Sequence, residues 1–198
     1  MRSLLLVGFG VFGLGGFGPA LAGPPPVGPQ DQVLGRADAP VTVIEYASLT
    51  CPHCGHWESQ VFPQVKQDLI DTGKIRFVFR DYPLDGKALR AAQLAHCSGD
   101  DRFWGFLQAE FGSQTAWAFN DRDPTDALVK IGKLGGLPEA QARACMEDDT
   151  LAKSILDSRE QGETAGVTGT PTFFINGRKE QVSEISYDAF VKLLHDPS

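Results

Sequence analysis

The chain has 198 residues, of which 42% are hydrophobic and 22% are charged, and its formal net charge at pH 7 is −7. This is the composition of a globular protein, with a length that suits one domain or one domain with an insertion. The acidic balance argues against a nucleic-acid partner, since such proteins usually present a basic face.

The first 22 residues have the pattern of a secretory signal peptide. Arg2 supplies a positive start, an apolar stretch broken by glycines follows, and residues 20–22 (ALA) form a small-residue cleavage site. The apolar stretch is shorter than the ~20 residues that a spanning helix needs, although an uncleaved anchor remains the alternative. We therefore expect residues 1–22 to be removed on export to the periplasm, and the Pro- and Gly-rich residues 23–32 to form a mobile linker.

The segment after the linker predicts a strand, a helix and a second strand. Residues 41–46 (VTVIEY) are β-branched and mostly apolar, as in a buried central strand. An apolar side chain then recurs at every fourth position, at Trp57, Val61, Val65 and Leu69. This spacing predicts a helix that Pro63 should kink and Gly73 should end. A second strand follows at residues 75–79, and the helical crossover predicts that the two strands are parallel.

Residues 85–165 predict an all-helical block, because apolar side chains recur there at helical spacing. The strand pattern returns at residues 170–175, and Asn176-Gly177 is the strongest short hairpin signal. A final helix carries Tyr187, Phe190, Val191 and Leu194. The order is βαβ, a helical block, a β-hairpin and a helix, which indicates an α/β fold.

The sequence Cys51-Pro52-His53-Cys54 stands where the first strand ends and the helix begins. With Cys51 as the N-cap and Pro52 at the first helical position, the free N–H groups of His53 and Cys54 face the Cys51 sulfur. These donors and the helix dipole lower the pKa of Cys51, which is therefore the predicted nucleophile. Cys54 is the predicted buried, resolving thiol. The ring of His53 is predicted to lower the Cys51 pKa further.

Other interpretations of the cysteine pair are weaker. A zinc site would need more ligands, but Cys97 and Cys145 are isolated and no second CxxC or HxxxH sequence exists. Haem attachment would need a histidine directly after Cys54, where the chain has Gly55. A purely structural bridge at Cys51–Cys54 remains open. We expect neither a cofactor nor a metal.

Glu45 is a charged residue inside the apolar strand that leads to Cys51. One interpretation places it at a solvent-facing strand position. The interpretation that we favour places it behind the cysteine pair, where burial would raise its pKa and it could relay a proton to or from Cys54.

Three segments resemble the DsbA family of thiol–disulfide oxidoreductases. Residues 45–54 (EYASLTCPHC) resemble its active-site segment, residues 166–177 (GVTGTPTFFING) its cis-proline loop, and residues 80–84 (RDYPL) are also similar. The resemblance covers nearly all of residues 33–194. It implies a thioredoxin fold with an all-helical insertion between its βαβ and ββα halves. The thioredoxin domain would comprise residues 33–84 and 166–198, and the insertion residues 85–165.

The resemblance also implies roles for single residues. Cys51 is the nucleophile, Cys54 resolves, Pro171 is the cis-proline that faces them, and Thr170 offers backbone groups to an extended substrate. Thr170 stands where the best-known enterobacterial member has valine. Cys97 and Cys145 resemble the second disulfide that a subset of the family carries in the insertion. Two free buried thiols are the alternative, but the oxidising environment that an exported protein meets favours a disulfide between them.

The implied function is the introduction of disulfide bonds into newly exported proteins by a monomer that acts through Cys51–Cys54. Its partners would be reduced or unfolded exported proteins and a membrane-bound, quinone-linked oxidase of DsbB type. The nearest alternative is an isomerase or reductase of DsbC, DsbG or suppressor-of-copper-sensitivity type, with which Thr170 is compatible. A copper chaperone binding through Cys51, Cys54 and His53 is less favoured, because the chain has only two Met and four His.

Overall fold

The computed structural model describes residues 23–180 and 186–195. The predicted signal peptide, residues 1–22, lies outside them, and the division of the chain into domains stays a prediction. No helix within the described ranges is long and apolar enough to cross a membrane.

In the described part of the chain, five strands form one mixed sheet in the order β1-β3-β2-β4-β5. Their bounds are Gln32–Leu34 for β1, Val41–Ala47 for β2, Ile75–Asp81 for β3, Thr172–Ile175 for β4 and Arg178–Glu180 for β5. Strands β2 and β3 are parallel, and the other neighbouring pairs are antiparallel. This sheet is the predicted thioredoxin fold, and the carboxyl end of its central strand β2 leads directly into the Cys51 turn.

The chain is helical from Pro52 to Ile70, but its hydrogen bonding changes along the way. Two short α-helices, α1 (Pro52–His56) and α2 (Phe62–Val65), alternate with π-helical turns at Trp57–Val61 and Lys66–Ile70. Pro63 has no N–H to donate and would clash with a carbonyl of a regular α-helix, so the wider first π-turn just before it accommodates the ring. The predicted kink therefore takes the form of a local change in helix type.

Six helices lie between β3 and β4 and form the helical insertion. They are α3 (Gly86–Cys97), α4 (Asp100–Gly112), α5 (Gln114–Trp117), α6 (Thr125–Leu134), α7 (Glu139–Met146) and α8 (Asp149–Thr164). A disulfide joins Cys97 at the end of α3 to Cys145 in α7, with a Cα–Cα distance of 5.9 Å, as predicted. Closing a loop of this length contributes roughly 4 kcal/mol to stability in the chain-entropy model. The last helix, α9, spans Tyr187–His195.

The buried apolar residues of the hydrophobic core form several clusters. One part packs the Trp57 face of the helix and Phe190 of α9 against β2, β3 and β4. Another part belongs to the insertion and includes Leu49, Cys51 and Cys54 together with apolar residues of α3 to α8. The cysteine pair is therefore packed into the core of the insertion and is not confined to the thioredoxin half.

Glu110 in α4 is a carboxyl group inside this core. It is 0% exposed, and neither of its side-chain oxygens has a hydrogen-bond partner. Burial raises the pKa of Glu110 well above its ordinary value, and the charge of Asp81 raises it further. The fold therefore favours the neutral form of Glu110, which still lacks the hydrogen bonds that it would have in water.

We expect Glu110→Leu to raise the free energy of unfolding by about 1–3 kcal/mol, the usual cost of an unsatisfied buried polar group. Above the ordinary glutamate pKa the unfolded chain ionises while folded Glu110 keeps its proton, so the wild type loses stability as the pH rises. The increase in unfolding free energy that Glu110→Leu gives over the wild type should therefore be larger at about pH 8 than at about pH 5.

Urea melts of wild type and variant at both pH values measure this. Glu110→Gln serves as the control, because it has a similar shape and does not titrate. A leucine variant that is less stable than wild type at the higher pH would contradict the expectation.

Candidate active site

Cys51 lies in the turn between β2 and α1. Its backbone is extended, with φ −82° and ψ 121°, as at an N-cap, and Pro52 follows at the start of the helix. The Cys51 N–H donates to the Ser48 carbonyl at 3.0 Å, and the Gly55 N–H donates to the Cys51 carbonyl at 3.1 Å. The turn is therefore hydrogen-bonded on both sides of the cysteine and holds its sulfur at the helix start.

The loop before β4 lies against this sulfur. The Thr170–Pro171 peptide bond is cis, and the Cys51 thiol donates to the Thr170 carbonyl at 3.2 Å. The two segments are 119 residues apart in the chain. The fold thus brings together the predicted nucleophile and the predicted substrate-binding residues Thr170 and Pro171.

The two cysteines have opposite acidities. The pKa of Cys51 is lowered to about 5, chiefly because the Cys54 thiol donates to its sulfur. The Thr170 side chain and the backbone N–H groups of Cys54 and His53 lower it as well, against the effect of burial. Cys54 is 0% exposed, and burial raises its pKa well above the ordinary value. This asymmetry is what a division into a nucleophilic and a resolving thiol requires.

Glu45 lies behind the cysteine pair and is 2% exposed, which is the buried position that the sequence favoured. One of its carboxylate oxygens accepts a hydrogen bond from the Trp57 ring N–H at 3.1 Å. Burial raises the pKa of Glu45 well above its ordinary value, and the charges of Glu58 and Cys51 add to this effect. The charge of Glu45 in turn helps to raise the pKa of Cys54.

A family model described as thioredoxin matches residues 28–196 of the chain. The crystal structure of Wolbachia pipientis alpha-DsbA1 superposes with a TM-score of 0.78 and 32% sequence identity, over 84% of this chain and 90% of that one. This chain belongs to the DsbA-like family.

Sequence relatives agree with this assignment. The DsbA-like chain is 36% identical over 149 residues to a Rickettsia bellii protein named as a protein-disulfide oxidoreductase, covering 74% of this chain and 57% of that protein. It therefore spans little more than half the length of this relative. The disulfide bond formation protein D of Bacillus subtilis is 29% identical over 170 residues, which are 80% of this chain and 73% of that protein.

Glu58 is a residue of the DsbA-like site that the sequence reasoning missed. It is 6% exposed, and its Oε1 has no hydrogen-bond partner. Burial raises the pKa of Glu58 to about 8. Glu58 follows Cys54 by four positions, the spacing that places two residues on one face of a helix. That spacing was the signal that could have located it.

The ring of His53 is exposed, whereas both neighbouring cysteines are buried. The part of His53 that lowers the Cys51 pKa is its backbone N–H. An effect of the ring on Cys51 therefore stays a prediction, which a substitution can test without removing the backbone donor.

The donor groups of this DsbA-like site are those of a dithiol centre. Within residues 23–180 and 186–195, no three or more His, Cys, Asp or Glu side chains are grouped so that they could hold a metal ion. Disulfide exchange moves two electrons from sulfur to sulfur, so the cysteine pair can carry out this chemistry by itself.

Proposed function

We propose that this DsbA-like protein is a thiol–disulfide oxidoreductase that introduces disulfide bonds into newly exported proteins. The observation that carries the proposal is the opposite acidity of its two cysteines, with a pKa of about 5 for Cys51 and a raised pKa for Cys54. A stabilised Cys51 thiolate exists only in the reduced protein. It therefore favours reduction of the Cys51–Cys54 disulfide and makes that disulfide an oxidant.

The exchange begins when a substrate thiolate attacks the Cys51 sulfur of the oxidised pair. The Cys51–Cys54 bond breaks, and Cys54 leaves with the bonding electrons and takes up a proton. A second substrate thiolate then attacks the substrate sulfur of the mixed disulfide, and Cys51 leaves as a thiolate. The substrate has lost two electrons and two protons, and the pair has been reduced. The low pKa of Cys51 makes it the better leaving group in the second step.

Buried carboxyl groups can supply the proton that Cys54 needs. Burial raises the pKa of Glu45 and raises that of Glu58 to about 8, so both hold a proton to higher pH than an exposed carboxyl group does. Glu45 is close enough for its charge to act on Cys54. We assign Glu45 the role of proton relay, with a pKa that is raised chiefly by its burial and further by Glu58.

The cis-proline loop is the proposed substrate site. The Thr170 carbonyl already accepts a hydrogen bond from the Cys51 thiol, so it lies where a peptide attached to Cys51 would pass. An extended substrate segment would pair with the backbone of Thr170 and lie against Pro171.

The second disulfide supports a place outside the cytosol. The Cys97–Cys145 disulfide is of a kind that persists in oxidising compartments outside the cytosol. We propose that residues 1–22 are cleaved on export to the periplasm and that the mature monomer acts on reduced or unfolded exported proteins there. A membrane-bound, quinone-linked oxidase of DsbB type would then re-oxidise the cysteine pair.

An isomerase or reductase remains the second candidate, because Thr170 before the cis-proline is compatible with it. The candidates differ in the direction of electron flow and in substrate. An oxidase forms disulfides in a fully reduced protein, whereas an isomerase rearranges wrong pairings in a scrambled one.

The difference in stability between the reduced and the oxidised protein tests the proposed function. We expect the reduced protein to be more stable than the oxidised protein at neutral pH, since the pKa of Cys51 is depressed only in the fold. The contribution is fully present above the thiol pKa of the unfolded chain and fades as the pH falls towards about 5. At about pH 7 its upper limit is roughly 2–3 kcal/mol before solvent screening is taken into account.

Denaturant melts of both redox forms measure the difference. His53→Ala should reduce the difference in stability between the two redox forms if the His53 ring also stabilises the Cys51 thiolate. An oxidised form that is more stable than the reduced form would show that the pair is a reductant and would overturn the proposed direction.

A further inference from the structure

One side chain of the helical insertion reaches the turn between β2 and α1, which carries Cys51 and is here called the catalytic turn. It hydrogen-bonds to this turn at two points. Gln114 is the first residue of α5 and is 6% exposed. Its Nε2 donates to the carbonyl of Leu49 at 2.8 Å and to the carbonyl of Cys51 at 3.1 Å. Both carbonyls belong to the turn between β2 and α1. A single amide group therefore spans the turn that carries the Cys51 sulfur.

The other end of this amide lies against Gly55. A Cβ at position 55 would come within 2.2 Å of Oε1 and 2.8 Å of Cδ of Gln114, so a larger residue there would push the amide away. The Gly55 N–H also donates to the Cys51 carbonyl at 3.1 Å. The Cys51 carbonyl thus accepts two hydrogen bonds, one from the first turn of α1 and one from the insertion.

The insertion holds Gln114 firmly in this position. Three residues further along α5, the Trp117 ring N–H donates to the Glu110 carbonyl of α4 at 3.0 Å, and Trp117 is 1% exposed. Helix α4 in turn packs against α1 and the first π-turn. The amide therefore occupies a place fixed by α4 and α5 and does not depend on a mobile surface loop.

We propose that Gln114 is a positioning residue of the cysteine pair. By holding the carbonyls of Leu49 and Cys51, it fixes the direction of the Cys51 sulfur relative to the N–H groups at the helix start and so sets the redox equilibrium of Cys51–Cys54. The stabilisation of a thiolate by helix N–H groups falls off within the first turn, so a small rotation of the turn changes it. The inference rests on the proposed function of the same pair.

A purely structural role for Gln114 would satisfy the two carbonyls and change nothing else. Gln93 separates the two cases, because it is a second buried glutamine of the insertion, 2% exposed. Its Nε2 donates to the Asp148 carbonyl at 2.9 Å. It has the same residue type, similar burial and the same kind of bond as Gln114, but its bond links α3 to the start of α8 and not to the catalytic turn.

The test compares Gln114→Ala and Gln93→Ala in the mature protein. The thiolate absorbance of Cys51 is followed against pH, the redox equilibrium is measured against glutathione, and stability is measured in denaturant. We expect both variants to lose stability. Only Gln114→Ala should raise the Cys51 pKa, by about one unit, and shift the equilibrium about tenfold towards the disulfide form. An unchanged equilibrium in Gln114→Ala, or an equal shift in Gln93→Ala, would overturn the proposal.

A second pair of variants approaches the same contact from the other side. Gly55→Ala should crowd Oε1 of Gln114 and shift the equilibrium in the same direction as Gln114→Ala. In the Gln114→Ala background that oxygen is missing, so Gly55→Ala should then have little further effect. Equal effects of Gly55→Ala in the two backgrounds would contradict the proposed route through Gln114.

Failure of this inference and failure of the proposed function give different results. If Gln114→Ala shifts the glutathione equilibrium but the wild type cannot oxidise a reduced protein, the positioning role stands and the proposed function fails. If the wild type oxidises its substrate and Gln114→Ala leaves the equilibrium unchanged, the proposed function stands and the positioning role fails.

Discussion

Cys51→Ser is expected to reduce disulfide transfer to the uncatalysed background, a loss on the order of a thousandfold or more, because it removes the proposed nucleophile through which both exchange steps pass. The oxidative refolding of reduced ribonuclease A, followed by its recovered activity, measures the transfer. The pKa of about 5 for Cys51 adds a chemical signature. Alkylation at mildly acidic pH should label Cys51 well before Cys54, whose pKa is raised.

Two controls accompany this substitution. Cys54→Ser keeps the proposed nucleophile and removes the proposed resolving thiol. Its Cys51 thiolate should attack disulfides of substrate proteins, release one substrate thiolate, and remain bound in mixed disulfides that are visible on non-reducing gels. Replacing Cys97 and Cys145 together should leave the transfer step in place, because this pair is bridged within the insertion. Substantial refolding activity in Cys51→Ser, or equal labelling of Cys51 and Cys54, would contradict the assignment of the nucleophile.

Arg80→Ala is expected to have the largest effect on stability. Arg80 in β3 is 5% exposed, and its guanidinium makes two bonds to the Asp31 carboxylate, at 2.7 and 2.8 Å. It also donates to the Tyr46 hydroxyl at 3.1 Å and to the carbonyls of Pro25 and Pro26 at 2.9 and 3.2 Å. Truncation would leave a largely buried carboxylate and two carbonyls without this partner. Such a loss costs about 3–5 kcal/mol of unfolding free energy.

Urea denaturation of the mature protein measures this loss. The ion pair between Arg36 and Asp38 provides the control, because its side chains are 71% and 70% exposed. Exposed pairs contribute little, so Arg36→Ala should change stability far less. If Arg80→Ala were no more destabilising than Arg36→Ala, the N-terminal segment would not depend on this ion pair for its attachment.

Much of the fold could be predicted because its elements carry local patterns. The run of β-branched residues predicted β2, and Asn176-Gly177 predicted the hairpin between β4 and β5. These two residues have φ values of 49° and 83°, the positive angles that such a turn requires. Strand β1 and helix α5 have only three and four residues, too few for any period to show. Their places are set by tertiary contacts, with β3 for the strand and through Trp117 for the helix.

Some residues of the candidate site could likewise be predicted from local sequence patterns, whereas others depend on tertiary contacts. The spacing of Cys51 and Cys54 at a strand–helix junction predicted their positions, because the chemistry follows from a local N-cap geometry. Gln114 could not be found from the sequence, because its partner Cys51 lies 63 residues away and a glutamine in a four-residue helix gives no signal. Thr170 and Pro171 were identified only through resemblance to a known family, since their contact with Cys51 depends on how the whole sheet closes.

The complete burial of Cys54 has a kinetic consequence. Cys51 keeps 4% of its surface exposed and Cys54 none, so a small thiol or a second protein reaches the sulfur of Cys54 less readily than that of Cys51. A mixed disulfide that fails to complete its transfer can thus be released by Cys54 in a unimolecular step. The rate of that step does not depend on how much free thiol the surroundings contain, because the two sulfurs are held together by the fold. Release by Cys54 is therefore a property of the protein itself, and it sets an upper limit on the lifetime of a stalled complex whatever the redox conditions of the compartment.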